Sequence, residues 1–112
     1  MNDWSAYRSD LTKTLGQVGR INPDVLKGYT QISNAAPAEP TLDAKTRELI
    51  ALAVAVTTRC DGCIAVHSDA ARKAGATKEE LTEALGVAIA LNAGAALVYT
   101  ARAFDAFTEN AG

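Results

Sequence analysis

Apolar positions in the first third of the chain recur at helical spacing. Trp4, Tyr7, Leu11, Leu15 and Val18 fall three or four residues apart, and Gly19 follows them. This interval predicts an amphipathic helix over about 3–18. Asn22-Pro23 then offers a capping side chain with proline at the first helical position. It opens a second helix carrying Val25, Leu26, Tyr29 and Ile32, which ends before a connector holding Pro37 and Pro40. The aromatic residues of both helices are expected in a core or an interface rather than at a ligand site.

Asp43 can cap a third helix that continues to about Thr58. Its first turn is polar, but residues 49–56 are apolar all round, which predicts a central, buried segment. A short turn with Arg59, Cys60, Asp61 and Gly62 follows. A fourth helix then starts near Cys60 to Cys63 and closes on Arg72, Lys73 and the helix-ending Gly75. Thr77-Lys78-Glu79-Glu80 is a capping box that opens a fifth helix with Leu81, Leu85, Ala88 and Ile89 on one face. Asn92-Ala93-Gly94 is expected to break it, leaving a sixth helix through Leu97, Val98, Ala101, Phe104 and Phe107. No strand alternation or internal repeat is visible. The pattern predicts an all-α, single-domain bundle of about six helices over residues 1–112.

Composition sharpens this picture at one point. Twenty-three of the 112 residues are Ala, so the 48% hydrophobic fraction is built largely from methyl groups. Alanine favours helix and close helix approach but buries little area. A lone chain would have a thin core, so a homo-oligomer is expected. The net charge of −2 leaves no basic excess to drive nucleic-acid binding. Residues 84–101 are interrupted only by Asn92, Gly and Thr, but the stretch is Ala-rich and no basic cluster flanks it, so burial is expected rather than a membrane span. No secretory signal or lipidation box is read at either end, and a cytoplasmic location is expected.

The candidate chemistry lies within twenty positions, as Glu48-x11-Cys60-x2-Cys63-x3-His67, and includes both cysteines and the only histidine of the chain. Cys63 and His67 share a helix face, and Cys60 is near enough to Cys63 for a disulfide. Both cysteines fall at a helix N-terminus, where free N–H groups favour a thiolate. With helices three and four antiparallel, Glu48 comes within about one turn (~5 Å) of His67. A thiol, an imidazole to take its proton and a carboxylate to hold the imidazole then converge. Two Cys, one His and one Glu could instead ligate zinc, but no second Cys or His pair accompanies them.

Residues 46–55, Cys60-Asp61-Gly62-Cys63-Ile64-Ala65-Val66-His67 and residues 70–81 resemble the carboxymuconolactone decarboxylase superfamily. The Glu…Cys-x-x-Cys-x-x-x-His pattern is similar to its alkylhydroperoxidase D-like branch, over about residues 41–107. The resemblance implies an all-helical fold, assembly as a homotrimer or homohexamer, and reduction of a peroxide substrate by thiols. It implies Cys63 as the peroxidatic thiol, Cys60 as the resolving thiol and His67 as relay base with Glu48 behind it. Cys60, at the turn, is expected to be the more exposed of the two. A dithiol electron donor, dihydrolipoyl or thioredoxin-like, would restore the pair, with no metal, flavin or haem cofactor. The best-known alkylhydroperoxidase D proteins carry a histidine before the second cysteine, where this chain has Gly62 beside Asp61. A lactone-processing enzyme and a non-catalytic redox-responsive protein are the alternatives.

Overall fold

Five α-helices make up the computed structural model, which describes residues 1–109: α1 (Trp4–Ile21), α2 (Pro23–Ser33), α3 (Ala44–Thr58), α4 (Asp61–Lys73) and α5 (Lys78–Glu109). Residues 110–112 of the expected 1–112 domain lie outside the described residues. The expected all-α class is what the chain forms, and the caps explain most helix boundaries. Asp43 Oδ1 accepts the Thr46 N–H at 2.8 Å and opens α3. The Thr77 hydroxyl accepts the Glu80 N–H at 3.1 Å while Glu80 Oε1 accepts the Thr77 N–H at 2.9 Å, a reciprocal box at the start of α5. Gly75, at φ +89°, ends α4: its own N–H bonds the Arg72 carbonyl and that of Ala76 the Ala71 carbonyl.

The expected sixth helix does not exist, because α5 runs unbroken through Asn92-Ala93-Gly94. The Asn92 amide explains why. It donates to the Ala88 carbonyl at 2.7 Å and to the Thr57 hydroxyl of α3 at 2.9 Å. Its polar side chain is satisfied by the preceding turn of α5 and by α3, so it ties two helices together without breaking the α5 backbone.

The helices touch one another in single file. α3 packs on α4 and on α5, α1 packs on α4, and α2 packs on α1; among the described residues no other pair of helices brings its backbones as close. The result measures 59 × 38 × 38 Å, with a radius of gyration of 18.7 Å. A compact domain of this length would have about 13 Å. Only Leu52, Ala55, Ala65, Ala71 and Ala88 are buried among the described residues, and four of these five are alanines. The expectation that all of 49–56 is buried fails: Leu52 and Ala55 are covered by α4 and α5, but Ile50 and Val54 are 49% and 56% exposed. A single chain has no third neighbour to lay on that side of α3. The far half of α5 is likewise open, with Leu97, Val98, Phe104 and Phe107 all exposed. By length and composition α5 could cross a membrane.

Candidate functional site

The tight connection between α3 and α4 sets the site. α3 ends with Arg59 in the left-handed region (φ 55°), and the N–H groups of Arg59 and Cys60 both turn back to the Ala55 carbonyl. A non-glycine residue costs about 1–2 kcal/mol in that conformation. The turn reverses the chain in one residue and makes Cys60 the N-cap of α4. Cys60 Sγ accepts the Cys63 N–H at 3.1 Å. The two cysteines are joined as a disulfide, with Cα atoms 5.2 Å apart. Both are half-buried, so the turn does not leave Cys60 freely exposed. When the bond is reduced, the N-terminal N–H groups of α4 favour the thiolate over the thiol.

The antiparallel α3–α4 pair also brings Glu48 to His67. Glu48 Oε2 lies 2.6 Å from His67 Nδ1, and the two side chains are 25% and 31% exposed. A carboxylate can only accept, so Nδ1–H is the donor and Nε2 is left free. His67 lies one helical turn beyond Cys63 and lines the same cleft, of about 630 Å³. Glu48 is not part of that lining; it sits behind the imidazole. The four residues singled out from the sequence are thus gathered around one helix end. Asp61 also lines the cleft and is exposed. No group of three or more His, Cys, Asp or Glu side chains among the described residues is arranged to hold a metal ion.

The opposite side of the cleft comes from residues the sequence did not point to. Tyr7, Leu11 and Leu15 of α1 and Tyr29 and Ser33 of α2 face the disulfide. The two tyrosines, expected in a core or interface, are cleft residues. Helical periodicity marked α1 and α2 as two-faced but carried no information on what the apolar face would meet. The one available signal was Gly62: a Cβ there would lie 3.0 Å from Leu11 Cδ2, so the missing side chain between the cysteines is matched by Leu11 of α1. Arg8, one residue along from Tyr7, donates to the Ala65 carbonyl of α4 at 2.7 Å and lies 3.9 Å from Asp69. Asp69 is further bound by Lys73 and Arg72, which hold its carboxyl down at about 2. A second ion pair, Lys45 with Glu80 at 2.8 Å, joins the starts of α3 and α5 and lowers the Glu80 carboxyl.

The sequence profile of the carboxymuconolactone decarboxylase family matches residues 23–106. That span reaches further back than the expected 41–107 and takes in α2, but not α1. An uncharacterised protein of Haemophilus influenzae is 51% identical over 106 residues, covering 95% of this chain and 94% of its own. "Uncharacterized protein 4 in cox locus" of Paracoccus denitrificans is 37% identical over 95 residues, covering 85% of this chain and 86% of its own. The crystal structure of a carboxymuconolactone decarboxylase family protein from Legionella pneumophila, in apo form, superposes with a TM-score of 0.74. It is 39% identical, and the match covers 97% of each chain.

Proposed function

The chain belongs to the carboxymuconolactone decarboxylase family, and within it we propose that it is a thiol-dependent hydroperoxide reductase of the alkylhydroperoxidase D-like branch. One observation carries the reading: a disulfide at the capped start of α4 shares a cleft with an imidazole whose other nitrogen is held by a carboxylate. In the reduced protein, His67 Nε2 takes the Cys63 proton. The thiolate attacks the distal oxygen of the hydroperoxide, the O–O bond breaks, and the alcohol leaves with that proton. Cys63 is now a sulfenic acid. Cys60 sulfur attacks it, water leaves, and the disulfide forms. A dithiol donor, dihydrolipoyl or thioredoxin-like, reduces the disulfide in two exchange steps and becomes a disulfide itself. Glu48 holds the imidazole tautomer through Nδ1.

A second assignment, with Cys60 as the attacking thiol, is favoured by one contact. Cys60 Sγ, not Cys63 Sγ, receives the N–H at the helix start, and such a bond favours a thiolate. The relay favours Cys63, because His67 is one turn from it on the same helix face.

The open faces of α3 and α5 fit contact with further copies of the chain, as a homotrimer or homohexamer in the cytoplasm. Light scattering without detergent should then give a multiple of the 11.7 kDa chain mass; a monomer would contradict this. The function is tested by steady-state peroxide reduction with several dithiol donors. Wild type should consume peroxide with at least one of them, and Cys63→Ser with none. Equal rates in both proteins would overturn the reading.

A further inference from the structure

We propose that the α1–α2 hairpin is the specificity element of this thiol site. Leu11 and Tyr29 form an apolar wall opposite Cys60 and Cys63 that selects reactants with an uncharged, apolar body. The inference deepens the hydroperoxide reductase reading and rests on it.

Three observations carry it. The first is the makeup of the cleft. Its inner side is the start of α4, with the two cysteines, Gly62 and His67, and its outer side is Tyr7, Leu11, Leu15, Tyr29 and Ser33 of the hairpin. Its volume of about 630 Å³ is far more than hydrogen peroxide needs and is of the size that encloses a small organic molecule. The second is charge. Among the described residues no Lys or Arg lines the cleft, and Asp61 is its one carboxylate. An anionic reactant would meet that carboxylate with no cation but the His67 imidazolium, which is already paired with Glu48, whereas an uncharged apolar one displaces water from tyrosine and leucine surface.

The third observation is that the wall is held in register with the sulfurs. Leu11 sits against Gly62, between the two cysteines, where a side chain at position 62 would intrude. Arg8 fastens α1 to the Ala65 carbonyl, two residues past Cys63 on α4. α2 reaches the rest of the molecule through α1, so Tyr29 takes its place from the same fastening. α1, with Leu11, also lies outside the residues that the family profile matches, whereas Tyr29 of α2 lies within them, so the profile alone does not supply the α1 part of this wall.

The test compares wild type with Leu11→Ala and Tyr29→Ala. Tyr29 is 62% exposed, so its truncation keeps the test open if loss of Leu11 unfolds the hairpin. One readout is the ratio of kcat/KM for cumene hydroperoxide to that for hydrogen peroxide. The other needs no turnover: on reduced protein, the ratio of alkylation rates by N-phenylmaleimide and N-(2-hydroxyethyl)maleimide, which place the same reacting group on an apolar and a polar body. Both ratios should fall about tenfold in the folded variants, the usual span for lost apolar contact in a binding pocket. Ratios that hold or rise would overturn the proposal. If wild type reduces neither peroxide, the reductase reading fails by itself, and the maleimide ratio alone decides the wall by the same criterion.

Discussion

The two helical hairpins of this chain are built to different standards. In α3–α4 the chain reverses through one left-handed residue, both helices start at side-chain caps, and four of the five buried residues lie in them. In α1–α2 the helices meet at Asn22, whose side chain makes no capping bond, and neither contains a buried residue. The rigid hairpin carries Glu48, Cys60, Cys63 and His67, groups that must meet within hydrogen-bond or covalent distance. The looser one supplies the far wall of the cleft, where packing tolerates play of a fraction of an ångström. On the proposed reading, chemistry and selectivity are divided between a well-fixed and a lightly fixed element, joined by the contact of α1 with α4.

The strongest way to break the rigid half is to remove its relay. His67→Gln and Glu48→Gln should each slow the attack on peroxide by about 10²–10⁴-fold at neutral pH, the span for loss of a general base or its support. The deficit should shrink at high pH, where a thiol ionises unaided. Single-turnover rates against pH measure this, and a deficit independent of pH would instead indicate disturbed folding.

The looser half should yield to a single substitution at its fastening. Arg8→Ala removes the hydrogen bond to Ala65 and the neighbour of Asp69, a loss of about 1.5–3 kcal/mol for a hydrogen bond from a charged group. Amide exchange should rise across α1 and α2 while α3 and α4 keep their protection. Uniform loss of protection would mean that the two hairpins unfold as one unit.

The smallest effect concerns the same network in acid. Asp69 titrates at about 2 in the folded protein against an ordinary 3.8. The unfolded chain therefore binds more protons in that interval, so the contribution of Asp69 to stability is full above about 4 and is lost as pH falls through about 2. Because its partners Arg72 and Lys73 are exposed, the effect is modest. Asp69→Asn should flatten the fall of Tm over that window and lower Tm slightly at neutral pH. An unchanged acid slope would show that the ion pairs contribute nothing.

Where the sequence was legible, the signal was local. Asp43, Pro23, Gly75 and the Thr77–Glu80 box each act on neighbours within four residues, and each marks a helix end that the structure contains. The approach of Glu48 to His67 was readable for the same reason, since a one-residue reversal fixes the register of an antiparallel pair. Asn92-Ala93-Gly94 misled because its partner, Thr57, is 35 residues away. The exposure of Ile50 and Val54 could not be read from their hydrophobicity, because burial depends on how many neighbours the chain can bring to α3. Tyr7 and Tyr29 escaped for a related reason: their place opposite the cysteines depends on how α1 docks on α4, a contact between segments more than fifty residues apart, as for Arg8 and Ala65.

The central claim is that the cysteine pair is a peroxide-reducing couple in which Cys63 attacks and Cys60 resolves. Its most direct test is a single turnover of the pre-reduced Cys60→Ser and Cys63→Ser variants with one equivalent of cumene hydroperoxide, followed by a dimedone-type trap and mass spectrometry. The account predicts a trapped sulfenic acid on Cys63 in Cys60→Ser and none in Cys63→Ser. A sulfenic acid trapped only on Cys60, in Cys63→Ser, would reverse the two roles, and none in either variant would contradict the claim itself.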